Sequence, residues 1–138
     1  METFEGTVLA GESFDPVRGR VVVEDGEITA VEETTTESTD IVLPAFVNAH
    51  THVGDSVAKD AAVGLSLEEA VVPPDSLKHR RLRETPRDRQ VTAIRRTCRQ
   101  MERTGTALFA DFREFGTAGA EILRDAVGPT AVDVFVFG

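Results

Sequence analysis

Apolar and polar residues alternate weakly over 3–10, cluster as Val21-Val22-Val23 within 20–24, and alternate again over 28–31. That pattern predicts three short strands. Asp25-Gly26 sits between the second and third strands and is a strong two-residue hairpin signal, because glycine accepts positive φ. A polar connector follows, Thr34-Thr35-Thr36-Glu37-Ser38-Thr39. The chain then turns apolar through Ile41-Val42-Leu43-Pro44-Ala45-Phe46-Val47 and runs into Asn48-Ala49-His50-Thr51-His52. A run this apolar and this rich in branched residues predicts one buried strand over 41–52.

Residues 53–85 read as a long connection. Within it, Ser66-Leu67-Glu68-Glu69 has capping-box spacing and predicts a short helix ending before Pro73-Pro74. Thr85-Pro86 predicts the start of a longer helix, with Thr85 as N-cap, proline in the first helical position and Asp88 in the first turn. Val91, Ile94, Cys98 and Met101 form its apolar stripe, and Gly105 ends it. Residues 106–112 predict a second buried strand and 118–127 a second helix, with Ala118, Ile122 and Ala126 backed by Leu123 and Val127. A third strand over 131–137 is apolar enough to be buried on both faces. The order strand, helix, strand, helix, strand predicts a right-handed parallel wind, so the fold class is α/β behind a small N-terminal β unit.

The candidate chemistry sits at the end of the central run. Side chains of a strand alternate faces, which puts Asn48, His50 and His52 on one side and Ala49 and Thr51 on the other. Two imidazoles so placed can bind one divalent ion; the alternative is a pair of strand-end histidines bonded to loop backbone. Asp55, His79 and Arg80 lie on the connection, where they are candidates for substrate contact. At the end of the second strand, alternation separates Phe109, Asp111 and Arg113 from Ala110, Phe112 and Glu114. Whichever polar set faces inward lies near the histidines, where a carboxylate could orient a ligand imidazole.

The segment Leu43-Pro44-Ala45-Phe46-Val47-Asn48-Ala49-His50-Thr51-His52, preceded by Asp25-Gly26-Glu27-Ile28-Thr29-Ala30-Val31, resembles the N-terminal part of the metal-dependent amidohydrolase superfamily. Within it, the branch of cyclic-amidine deaminases and chlorohydrolase-type enzymes is the most similar. Ala45 departs from the pattern, where the family commonly has glycine. The resemblance implies a β-sandwich-like unit over 1–43 and the first three strands of a (β/α)8 TIM-type barrel over 44–138. It implies a divalent metal on His50 and His52, zinc first and iron or manganese next. It further implies metal-activated water attacking a carbon–nitrogen bond of a small cyclic amide or amidine. In the family the remaining ligands and a proton-shuttling aspartate come from later strands, so no catalytic residue is expected among these 138.

Length sharpens that expectation. A barrel needs about 200–250 residues, so the chain reads as an N-terminal piece that binds metal weakly and does not turn over. Its expected partners are a small-molecule substrate and either itself or a complementing C-terminal half. The other function class compatible with the sequence is a non-catalytic α/β binding or scaffold module that keeps the histidines for structure. Net charge −9 and pI near 4.8 argue against nucleic acid and anionic membranes as partners. Ten Lys/Arg against three Asp/Glu over 76–103 form the one basic segment, and no aromatic residue there offers a base-stacking platform. Only Lys59 and Lys78 are lysines, and the acidic, lysine-poor composition fits a salt-adapted protein. Cys98 is the only cysteine, which excludes an internal disulfide and, on a helical apolar stripe, reads as core. With no signal-peptide pattern and no apolar run near the ~18 residues of a membrane span, the expected location is the cytoplasm.

Overall fold

The computed structural model describes residues 1–138. They divide into two units, Met1–Pro44 and Ala45–Gly138. The first unit is one mixed sheet in the order β3-β2-β1-β4, built from Glu2–Ala10, Asp15–Glu24, Glu27–Glu33 and Ile41–Val42 as β1 to β4. It is a single layer rather than the sandwich-like unit expected. Asp25 and Gly26 join β2 to β3 with φ of 52° and 83°, the two positive values that a two-residue turn between twisted strands requires. Val8 and Val21 are the buried side chains of this sheet.

The strand predicted over 41–52 is in fact two strands. Ile41–Val42 pairs in parallel with β1, whereas Phe46–Thr51 (β5) belongs to the second unit. Pro44 lies in the break; it has no N–H to give to a ladder and restricts the residue before it. The second unit continues with α1 (Leu67–Val71), α2 (Leu77–Glu84), α3 (Arg87–Arg103), β6 (Thr106–Phe112), α4 (Gly116–Val127) and β7 (Asp133–Phe137). Its three strands are parallel, in the order β5-β6-β7.

One face of that sheet carries the core: Ile94 and Cys98 of α3, Leu123 and Ala126 of α4, and Val53 and Val132 close around Phe109 of β6. The opposite face is open, and Phe112, Phe135 and Phe137 are exposed on it. β6, expected to be buried, therefore buries only one face, and β7, expected to be buried on both, keeps only Val134 partly buried. β5 is exposed along Phe46–His50 because it is an edge strand with no helix above it.

The connection over 53–85 carries regular structure along much of its length. It holds two 3₁₀ turns, Val53–Val57 and Lys59–Ala62, then α1 with the expected Ser66–Glu69 capping box, then α2, a helix that the local pattern does not predict. Thr85 does not cap α3. Its N–H closes α2 on Arg81 O at 3.0 Å, and α3 starts after Pro86 without a side-chain cap. The carboxamide of Gln90 instead donates to Leu82 O and Thr85 O, both at 2.9 Å, satisfying carbonyls at the end of α2.

Candidate metal centre

β5 delivers the two histidines to the open side of the sheet. Their Nε2 atoms lie 3.2 Å apart, with ring centroids 5.2 Å apart and planes inclined at 57°. The His50 ring rests on Phe112, centroid to centroid 4.5 Å, and Phe112 in turn stacks on Phe137 at 5.2 Å. Nδ1 of His52 lies 3.0 Å from Phe112 O. A carbonyl can only accept, so this contact puts the proton on Nδ1 and leaves the Nε2 lone pair pointing toward His50.

Nitrogens held about 2.0–2.1 Å from one tetrahedral ion sit roughly 3.3 Å from each other. The observed Nε2 separation fits that requirement, and the chemistry of two neutral imidazoles suits zinc. No group of three or more His, Cys, Asp or Glu side chains assembles to hold a metal. The two imidazoles stand together without a third such group beside them.

Around the histidines stands a charged cluster that sequence reasoning only partly found. Lys78 of α2 is almost fully buried, and its Nζ lies 2.5 Å from Glu114 Oε1. Asp55 Oδ1 is 3.1 Å from the same ammonium, as an ion pair without hydrogen-bond alignment. Glu114 Oε1 is 3.6 Å from His52 Nδ1. Burial works against the Lys78 charge, but the two carboxylates outweigh it and raise its pKa above the ordinary lysine value. Burial likewise pushes Glu114 up; Lys78, a backbone N–H and Arg113 more than reverse this and leave it below the usual carboxylate range. Lys78 was missed because it sits in a basic run. The available signal was its spacing, i to i+4, from Leu82, the other buried residue of α2.

Asp111 and Arg113 face the helices, not the histidines, and so correct the expectation that either touches the site. Asp111 is fully buried; its Oδ1 accepts from Val53 N–H at 2.7 Å and from Thr51 Oγ1 at 3.0 Å. It thus grips the strand on both sides of His52 rather than the imidazole itself. Arg113 donates from Nε to Gly119 O at 3.1 Å, and its guanidinium passes so close to Gly54 that a Cβ there would collide with Nη1. Asn48 bonds the backbone of His50 rather than an imidazole nitrogen. The register shifts between Asn48 and Thr51, interrupting strict alternation, and Asn48 Oδ1 accepts from His50 N–H at 3.3 Å. His79 turns back to its own helix start, Nδ1 2.8 Å from Ser76 Oγ. Arg80 also turns toward the start of α2, donating to Asp75 O. Of the substrate and support candidates, only Glu114 approaches an imidazole, and Asp55 joins the cluster through Lys78.

Cys98 is fully buried in the core, and desolvation followed by the nearby Asp111 charge pushes its thiol up to about 11. Alkylation by iodoacetamide at pH 8 is therefore expected to be slow in the folded chain and fast in urea. Equal rates would place the thiol at the surface. Two arginines of the basic helices form ion pairs, Arg83 with Asp75 and Arg87 with Asp125 of α4. No helix is long and apolar enough to cross a membrane.

The family model described as "Amidohydrolase family" matches residues 41–138. A provisionally named aminohydrolase of Methanothermobacter thermautotrophicus is 41% identical over 140 residues, covering 96% of this chain and 36% of that protein. The 5'-deoxyadenosine deaminase of Methanococcoides burtonii is 31% identical over 116 residues, covering 75% of this chain and 25% of its own length. The crystal structure of guanine deaminase from C. acetobutylicum, with guanine in its active site, is similar in fold. It has a TM-score of 0.65 at 15% identity, over 98% of this chain and 35% of that one. The chain spans about a third of the length of the first of these relatives and a quarter of the second.

Proposed function

Because this chain belongs to the amidohydrolase family, we propose that it supplies two imidazole ligands to the divalent-metal site of a hydrolase acting on a non-peptide carbon–nitrogen bond. The parallel sheet β5-β6-β7 is then the first part of a (β/α)8 barrel, with His50 and His52 at its inner rim. The observation that supports the reading is the convergence of their Nε2 atoms to 3.2 Å, with His52 held from behind by Phe112 O.

The substrate class we assign is a small cyclic amidine, of which an aminopurine is the instance suggested by the deaminases among the relatives. In such a reaction the oxygen of water bonds to the ring carbon, the carbon–nitrogen bond to the amino group breaks, and ammonia leaves. A divalent ion held by His50 and His52 would supply the Lewis acidity that makes water a nucleophile at neutral pH. This chain's own residues hold and orient: His50 and His52 donate lone pairs, and Phe112 and Phe137 give that side of the site an apolar wall. A zinc site wants three protein ligands, so the two present here bind it weakly.

Zinc titration of the purified chain by calorimetry tests the reading. One weak site per chain is expected, lost in His50→Ala with the fold unchanged. Uptake that is absent, or equal in the variant, would sink it.

A further inference from the structure

Two acceptors and one donor compete for Nδ1 of His52: Phe112 O at 3.0 Å, Glu114 Oε1 at 3.6 Å and the Lys78 ammonium at 3.4 Å. A neutral imidazole answers them with one of two tautomers. With the proton on Nδ1, the ring donates to Phe112 O, and Nε2 presents its lone pair beside His50. With Nδ1 bare, the ring accepts from Lys78, and Nε2 carries a proton that blocks any cation. Lys78 therefore endangers the site that it adjoins. It is nonetheless almost fully buried there, reaching from α2 to the strand ends.

The geometry resolves the conflict through Glu114. Of the three donors on an ammonium, the shortest contact of Lys78 is 2.5 Å to Glu114 Oε1, and a second group, Asp55, lies 3.1 Å away. We propose that Glu114 is a positioning residue that captures the Lys78 ammonium, keeps it off Nδ1 of His52, and so sets the tautomer that leaves His52 Nε2 free for a metal. The proposal rests on the metal reading of the histidine pair, but the tautomer can be read without metal.

Ring-nitrogen NMR of the metal-free 138-residue chain, together with zinc titration, tests it. The wild-type His52 shows the Nδ1–H form. In Glu114→Ala the ammonium, still paired with Asp55, swings its free donor to Nδ1. The Nε2–H form takes over, and zinc affinity falls about 10- to 100-fold. Adding Lys78→Met to Glu114→Ala removes the competing donor, restores the Nδ1–H form and returns affinity to within a few-fold of wild type. A structural role alone predicts that the double variant is no better than the single one. Persistence of the Nδ1–H form in Glu114→Ala, or no recovery in the double variant, overturns the proposal. If Glu114→Ala does not fold, Glu114→Gln with the same rescue decides. Absence of zinc binding in the wild type would defeat the metal reading instead, leaving the tautomer to judge Glu114.

Discussion

Phe109→Ala is expected to cost about 3–5 kcal/mol of stability, the usual range for emptying a fully buried aromatic site. Phe109 is fully buried on β6, surrounded by Ile94 and Cys98 of α3 and Leu123 and Ala126 of α4. The sheet buries only this face, so no second core shares the load. A unit of this size holds on the order of 5–14 kcal/mol in total, and the substitution removes a large part of it. Urea denaturation reads the loss as a lower midpoint. Phe112→Ala is the control. Its ring is on the open face and 39% exposed, so its removal should cost well under half as much. Equal costs for the two would mean that the core is elsewhere.

Asp111→Ala is expected to destabilise by about 2–4 kcal/mol, because it strips partners from donors that water cannot reach. Thr51 Oγ1 keeps Ala110 O at 2.9 Å, so the loss concentrates on Val53 N–H. Since Val53 follows His52 directly, the strand end should loosen, and zinc uptake should fall with stability. Asp111→Asn retains an acceptor and isolates the charge. Burial raises the Asp111 pKa further than Val53 N–H, Thr51 and Arg113 lower it. The folded chain thus holds this proton more tightly than the unfolded chain does. Its contribution to stability is full below the unfolded value near ~3.9 and declines as pH rises through the folded value.

Asparagine cannot ionise, so the Asn variant gains on wild type as pH rises across that window. Glu114 and Lys78 act with other signs. Lowered Glu114 loses its contribution only as pH falls through its folded value, and raised Lys78 only as pH rises through its own. Both are present in wild type and variant, so they cancel in the difference. A difference flat from pH 3.5 to 7 would mean that Asp111 has an ordinary carboxyl.

Local signals carried the elements whose formation is local. Asp25-Gly26, the Ser66–Glu69 box and the Val91, Ile94, Cys98 stripe each declare a turn, a cap or a face within a few residues. The histidine pair was legible because spacing two along a strand already brings side chains together. What failed depended on partners distant in sequence. Whether 41–47 is one strand or two is decided by β1 and β6, which pair with its two ends separately. Asp111 looked like a site residue because β6 ends beside β5, but its face is chosen by α3 and α4. In α2 the phase of one short helix decides that Lys78 enters and His79 does not. A basic run conceals that phase, since every position in it looks ready for solvent.

The three-stranded sheet has a further outcome for motion. β6 is bonded on both sides, to β5 and β7, whereas β5 and β7 each have a single neighbour. Amides on the free margins of β5 should exchange with deuterium rapidly, and those of β6 last of all. His50 thus rides on an edge strand, with His52 directly after it, and an ion bridging them would act as a rivet, slowing exchange first at Ala49 and Thr51.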